Sequence, residues 1–242
     1  MKSIVLSVVL VMVFLLATLS CSIRQEAFLE VDGSGSVSFK FKVEPFFLNT
    51  VQELASLEGG KAEENKEWKL FDVEKIREDF AKKSTFRLTS LSSTSPDTLE
   101  GSFTFQDVEQ VFRGEVELTK AGIISYNRTE GKNTIKVHLD RENFKQITSF
   151  LPVRENPLFQ MFGPEENEDT TQQEYLDMME FVFGDKGPPG VKASTIELKV
   201  RVKGRVLSQS GGEMVDGGVL FKIPLMRVLL LAKPLDYSIV FH

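Results

Sequence analysis

The residues able to do chemistry in this chain are few. Among 242 residues there is one cysteine, Cys21, and there are two histidines, His138 and His242. A structural zinc alone takes four Cys/His ligands, so counting excludes a structural zinc centre and a disulfide framework and leaves a Cys/His dyad without redundancy. His138 has Asp140 and Glu142 close in sequence, but a general base also needs a nucleophile and an orienting acid. The chain carries no GxSxG and no second internal histidine. His138 is therefore read as a surface strand residue, and His242 as a frayed terminus. Glu165, Glu166, Glu168 and Asp169 offer hard oxygen ligands that suit Ca²⁺ loosely, yet they lack the ordered EF-hand loop and read as a solvated acidic loop. Asp32-Gly33-Ser34-Gly35 is not followed by a helix opening on Lys-Ser or Lys-Thr, so it reads as a hairpin turn and not a phosphate cradle. No metal, no cofactor and no catalytic constellation are expected.

Cys21 is the residue whose position implies a reaction. Ile4 to Leu19 is free of charge, follows Lys2, and runs into Ser20-Cys21. That is the layout of an export signal, with a basic start, an apolar middle and a small-residue cleavage end. As a helix the apolar run spans roughly 24 Å, short of the ~30 Å hydrocarbon core, so a signal peptide fits better than a permanent span. The placement of the sole thiol resembles the lipobox of bacterial lipoproteins. Ser20 supplies the small residue before the cysteine, while Thr18 stands where Leu is preferred, as in the looser lipoboxes of spirochaetes. The resemblance implies that Cys21 carries diacylglycerol through a thioether, with cleavage before it and acylation, by palmitate for example, of the new amino terminus. It divides the chain into a signal peptide over 1–20, a lipidated tether over 21–26 and an extracytoplasmic domain over 27–242. An ordinary cleaved signal and an uncleaved anchor are the alternatives.

Aromatic usage is lopsided: 20 Phe against 3 Tyr and 1 Trp. Phenylalanine brings apolar area without a polar handle, whereas recognition platforms favour Tyr and Trp. The surplus packs a core or, more specifically, lines an apolar ligand cavity. Candidates for such a lining are Phe46, Phe47, Phe159, Met161, Phe162, Met178, Phe181 and Phe183.

The elements that must position these residues alternate between two periods. Val37, Phe39, Phe41 and Val43 alternate with Ser38, Lys40 and Lys42, the period-2 mark of a half-buried strand closing an N-terminal hairpin. From Pro45, Phe47, Val51, Leu54 and Ala55 share a helical face, and Asp72 caps a second helix with Val73, Ile76 and Phe80. Short strands follow over 86–91, 101–105, 115–119, 122–127 and 134–139, with a short helix over 107–112. Asp140 caps another helix that opens a helical insert over about 140–190. In it, the loop 163–173 and the helix bearing Tyr175, Met178, Met179, Val182 and Phe183 form a candidate mobile flap, stopped by the turn-rich Gly187-Pro188-Pro189-Gly190. Ile196, Leu198, Val200 and Val202 then alternate with Glu197, Lys199, Arg201 and Lys203, and Val219, Phe221 and Ile223 repeat the pattern. Leu225 to Leu231 is a strand or a short buried helix, and 237–241 a closing strand. Hairpins at both ends with helices between give an α+β fold, an antiparallel sheet built from the two hairpins and covered by amphipathic helices.

Two pieces of this pattern resemble a family of exported bacterial lipoproteins, the LppM-like domain proteins. They are LEVDGSGSVSFKFKV at Leu29 to Val43 and LKVRVKGRVLSQSGGEMVDGGVLFKIPL at Leu198 to Leu225, with Gly204 at the family's strand-closing glycine and Phe221 at its late aromatic. The resemblance implies an extracytoplasmic α+β domain with affinity for lipid-like molecules and no catalytic motif. With 35 acidic against 29 basic residues and a formal charge of −6, nucleic acid is not an expected partner. A lipid-anchored, non-enzymatic protein of the bacterial cell envelope that binds or carries an apolar, lipid-like ligand is the leading expectation. A structural or surface-interaction protein, adhesin-like and engaging an envelope protein, is the second.

Overall fold

A computed structural model describes residues 21–49, 71–148 and 161–242. The expected signal segment 1–20 and Phe159 lie outside them. The chain forms β1 (Cys21–Leu29) and β2 (Gly35–Val43), joined as expected by a tight turn. In that turn the Asp32 carboxylate accepts from the Ser34 amide at 2.9 Å and hydroxyl at 2.7 Å, and Gly33 takes φ +93°. These donors hold the Asp32 carboxyl below its ordinary range, the Ser34 hydroxyl first. Residues 21–26, expected as a tether, are instead strand: every residue from Cys21 to Leu29 pairs with β2, and 23–29 also pair with a later strand. The cause is the alternation of Ile23, Gln25, Ala27 and Leu29 inward, which buries Ile23 and Leu29.

After β2 a helical turn begins at residue 45. α1 (Val73–Ala81) starts at Asp72, whose carboxylate accepts from the Lys75 amide, and seats buried Phe80 5.7 Å from the ring of Phe103. β3 (Phe86–Ser95) and β4 (Thr98–Phe105) form a hairpin; Asp107 then caps α2 (Val108–Gly114). α3 (Val116–Lys120) occupies the stretch expected as a strand. Its alternation Val116, Leu118 is too short to fix a period, and burying Leu118 and Glu115 needs only one helical turn. β5 (Ile124–Thr129) and β6 (Lys132–Leu139) follow, and then α4 (Arg141–Thr148).

α5 (Gln172–Phe183) opens with a Thr171/Glu174 capping box. It is not a flap. Tyr175 and Met179 have no solvent exposure, and the Tyr175 hydroxyl donates to the Phe162 carbonyl at 2.9 Å. Burial pushes that phenol's pKa up. The preceding loop is docked too: buried Asn167 donates to the carbonyls of Met161 at 3.0 Å and Gly163 at 2.8 Å, and Arg141 pairs with Glu168 at 3.4 Å. Its acidic residues are thus dispersed, with Glu165 accepting from the Thr148 hydroxyl. Gly187-Pro188-Pro189-Gly190, expected as a turn, opens α6 (Gly187–Ala193). Proline costs nothing in a first helical turn, where its missing N–H has no partner to lose. Gly187 lets α6 close onto the Met179 carbonyl, and Gly190 lies against the Phe46 ring.

The chain ends as β7 (Thr195–Val202), β8 (Val206–Ser210), β9 (Glu213–Val215), β10 (Gly218–Pro224), α7 (Leu225–Leu230) and β11 (Leu235–Phe241). The fold is α+β. Its larger sheet has the order β3-β4-β2-β1-β7-β10-β9, so the terminal hairpins are neighbours as expected, through a parallel β1/β7 pair in an otherwise antiparallel sheet. A second sheet, β5-β6-β11-β8, takes the closing strand, which the one-sheet expectation did not include. The Phe221 and Tyr237 rings, 5.6 Å apart and edge to face, join β10 to β11. His242 is not frayed: its amide donates to the Arg205 carbonyl at 3.1 Å, and its backbone packs on Gly204, where a Cβ would collide with it.

Candidate ligand-binding cleft

One face of the larger sheet is apolar and the other is polar. On β2, Phe39, Phe41 and Val43 are buried and Ser38, Lys40 and Lys42 are exposed; on β7 the buried Ile196, Val200 and Val202 alternate with Glu197, Lys199 and Arg201. A cleft of about 620 Å³ lies on the polar face, lined by residues of β3, β4, β2, β1, β7 and β10. Phe39 lies in register with Gly101 on β4, where a Cβ would come within 2.8 Å of the ring, so glycine leaves room for this buried aromatic on the apolar face, behind the cleft.

The cleft's charges are matched across strands by register. Arg24 stands opposite Glu197 at 3.3 Å, Lys40 opposite Glu100 at 3.2 Å, and Glu26 opposite Lys199 at 3.8 Å, with Arg201 reaching Glu26 at 3.2 Å. Solvent-exposed pairs of this kind contribute about 0–1 kcal/mol each. Their larger effect is to line the cleft with alternating donors and acceptors at near-zero net charge. Hydroxyls continue the lining: a register shift between Leu88 and Ser90 presents both Thr89 and Ser90 to Ser102, at 2.7 Å each. Such a surface offers donors and acceptors of both signs. Among the described residues no cluster of three or more His, Cys, Asp and Glu has the geometry to hold a metal.

Phe159 apart, which lies outside the described residues, none of the apolar candidates lines this cleft. Phe183 is the hub of a ring cluster instead, 5.3 Å from Phe162, 5.7 Å from Phe47 and 5.7 Å from Phe46. Phe47, Phe162 and Phe183 are buried, Phe46 and Met178 half-buried against the core. Met161 and Phe181 point outward, Phe181 being 90 % exposed. The rings therefore fill space against one another. Cys21 is the first residue of β1, its backbone paired with Val43. The cleft residues Arg24, Glu26, Lys40, Glu100 and Lys199 form no motif in the sequence. Their signal was present as the wet face of each strand, but the register that brings opposite charges together was not.

His138 lies outside the cleft on β6. Its Nδ1 is 2.7 Å from Asp236 on β11 and its Nε2 is 3.0 Å from Asp140, the residue preceding α4. Two acceptors facing both ring nitrogens favour the imidazolium, and the hydrogen bonds to Asp236 and then Asp140 raise the His138 pKa above its ordinary 6.5. A raised folded-state value means the pair's stabilisation is complete below about pH 6.5 and is lost as pH rises through the folded pKa. Melting temperature followed from pH 6 to 9 is expected to fall less in His138→Gln than in the parent; parallel curves would contradict this.

No family model matches the chain, and no curated protein does. Among solved structures it is similar to the NMR structure of the folded domain of LppM from Mycobacterium tuberculosis, with a TM-score of 0.41 and 13% identity over 93% of this chain and 90% of that one. At that TM-score no residue is carried across from it, and the spirochaetal affinity suggested by the lipobox finds no support in it. Among the described residues no helix is long and apolar enough to cross a membrane.

Proposed function

We propose that this chain is a non-enzymatic, membrane-anchored lipoprotein of the bacterial cell envelope, held by acyl chains on Cys21, which binds the polar portion of a lipid-like amphiphile in the cleft of its larger sheet. One observation carries the reading: the cleft and the anchoring residue share a strand. β1 begins at Cys21 and supplies the side chains of Arg24 and Glu26 to the cleft. At about 3.3 Å per residue those positions lie roughly 10–17 Å from Cys21. A headgroup layer is about 5–8 Å deep on each side of a bilayer, so the cleft opens just above it. The paired charges and serines suit a headgroup, whereas the packed Phe183 cluster leaves the acyl chains outside that cluster.

The test is binding by residues 22–242, which retain all of β1 except its first residue. Native mass spectrometry of the purified protein, followed by titration with a short-chain phospholipid and with a free fatty acid, is expected to show saturable binding of the phospholipid and none of the fatty acid. Phospholipid at 100 times Kd is expected to stabilise the fold by about 2.7 kcal/mol. Arg24→Glu with Lys199→Glu, which places like charges beside Glu197 and Glu26, is expected to weaken binding by about tenfold or more. A protein that holds no lipid and whose melting temperature no lipid moves would return the choice to the surface-interaction reading. That reading draws on Val31 and Met214, 62% and 60% exposed toward the end of the larger sheet away from Cys21.

A further inference from the structure

The end of the larger sheet that begins at Cys21 is defined by register. Cys21 pairs with Val43, Ile23 with Ile196, and Thr195 with Pro224, so the start of β1, the end of β2, the start of β7 and the end of β10 lie together. The chain leaving β2 turns at once into the helical residues 45–49, and Phe46 there packs edge-on against Phe183 and over Gly190. The last turn of α5 and the whole of α6 therefore belong to this end. Phe183 closes α5 on its buried side. Phe181, two residues earlier and about 200° around the helix, points the opposite way. It is the most exposed large apolar side chain among the described residues.

Isolated exposed apolar residues are ordinary on soluble surfaces, so the position of Phe181 matters more than its exposure. The apolar run Ile4 to Leu19 stops two residues before β1 begins. Whether acyl chains replace it on Cys21 or the run itself stays, an apolar group enters the bilayer beside a residue already paired in a sheet. No slack separates the two. The nearby exposed charges are mixed, Lys42, Lys192 and Arg227 against Glu180 and Asp185, so this end lacks the acidic excess of the chain as a whole. A phenylalanine carried at such an end meets the boundary between headgroups and acyl chains, where apolar side chains are buried ~5–10 Å deep.

We propose that the Cys21 end of the larger sheet, with the last turn of α5, is the face that rests on the bilayer, and that Phe181 is the side chain that enters it. The proposal rests on the anchored-lipoprotein reading and adds to it an orientation and a contact residue. The far end, with Val31 in the β1–β2 turn, then points away from the membrane.

The test uses the full chain, purified from bacterial membranes and reconstituted in phosphatidylcholine/phosphatidylglycerol vesicles. Phe181→Cys, Lys192→Cys and Val31→Cys each give one free thiol beside the acylated Cys21, for a polarity-sensitive fluorophore. Vesicle flotation and the melting temperature are read on every variant, all three positions being exposed. Quenching by lipid-borne nitroxide is expected to be on the order of threefold stronger at positions 181 and 192 than at 31, as a depth of ~5–10 Å requires, and quenching by aqueous iodide is expected to run in the opposite order. Adding Phe181→Ser to Lys192→Cys is expected to cut lipid quenching at 192 by about half. Floating protein with equal quenching at all three positions overturns the orientation while leaving the anchor standing. Floating protein in which Phe181→Ser changes nothing at 192 overturns the role of Phe181. Protein that does not float, with Cys21 itself taking up the fluorophore, overturns the anchor and this proposal with it.

Discussion

Cys21→Ala is expected to abolish incorporation of a palmitate analogue and to move the protein from the membrane to the soluble fraction. Each buried CH₂ contributes about 0.8 kcal/mol, and two or more chains together hold a protein stably where one does so only marginally. Without the thiol there is no thioether, and with no diacylglycerol the remaining acylation has no substrate. The substitution is mild for the fold, because Cys21 contributes to β1 through its backbone pairing with Val43, so the melting temperature should hold. The alternatives give different results. An ordinary cleaved signal predicts an unlabelled parent that is already soluble. An uncleaved anchor predicts that parent and variant both stay in the membrane, unlabelled.

Phe183→Ala is expected to cost about 3–4 kcal/mol, within the ~3–5 kcal/mol that deletion of a buried phenylalanine takes. Its ring touches Phe46, Phe47 and Phe162 at once, so its removal leaves a cavity bounded by three rigid rings and two helices with little freedom to collapse. Phe181→Ala, on the opposite side of the same helix, should stay within about 0.5 kcal/mol. Urea midpoints at constant m give both numbers. A loss below about 1 kcal/mol for Phe183→Ala, together with weakened lipid binding, would restore the ring cluster as a ligand cavity. The contrast matters because composition treats the two phenylalanines alike, and only their angular positions on α5 separate them.

Where one period ran long enough, the sequence was legible. Seven residues of β2, from Val37 to Val43, and the seven of β7 from Ile196 to Val202 carry unbroken alternation, and both segments form strands with the expected buried faces. Asp72 and Asp140 cap helices where expected, since an N-cap is a local contact between a side chain and an amide two or three residues on. Short segments failed for the complementary reason. α3 has five residues, too few to separate a period of 2 from one of 3.6, and α6 opens with a Gly-Pro-Pro-Gly that suits a turn and a helical first turn equally. Leu225 to Leu231, left between strand and helix, became α7 because β10 ends at Pro224 and the apolar run that follows is buried on all sides except at Arg227. The cleft was illegible for another reason. Lys40 and Glu100 are 60 positions apart in sequence, and Arg24 and Glu197 are 173 apart; only the strand order β4-β2-β1-β7 makes them neighbours.

The parallel pairing of β1 with β7 also governs how the protein can come to be folded. β1 is an interior strand, yet one of its two neighbours is a strand from the last quarter of the chain, with Ile23 beside Ile196. A chain that emerges from the ribosome or a translocation pore N-terminus first can close the β1–β2 hairpin early, but the other edge of β1 stays bare until residue 202 is out. Contacts of such long sequence separation slow folding, and an unpaired edge invites pairing with other chains while it waits. Holding the N-terminus at a surface throughout that interval would keep nascent molecules dilute and apart from one another. Refolding from urea should accordingly be slow and increasingly aggregation-limited as concentration rises.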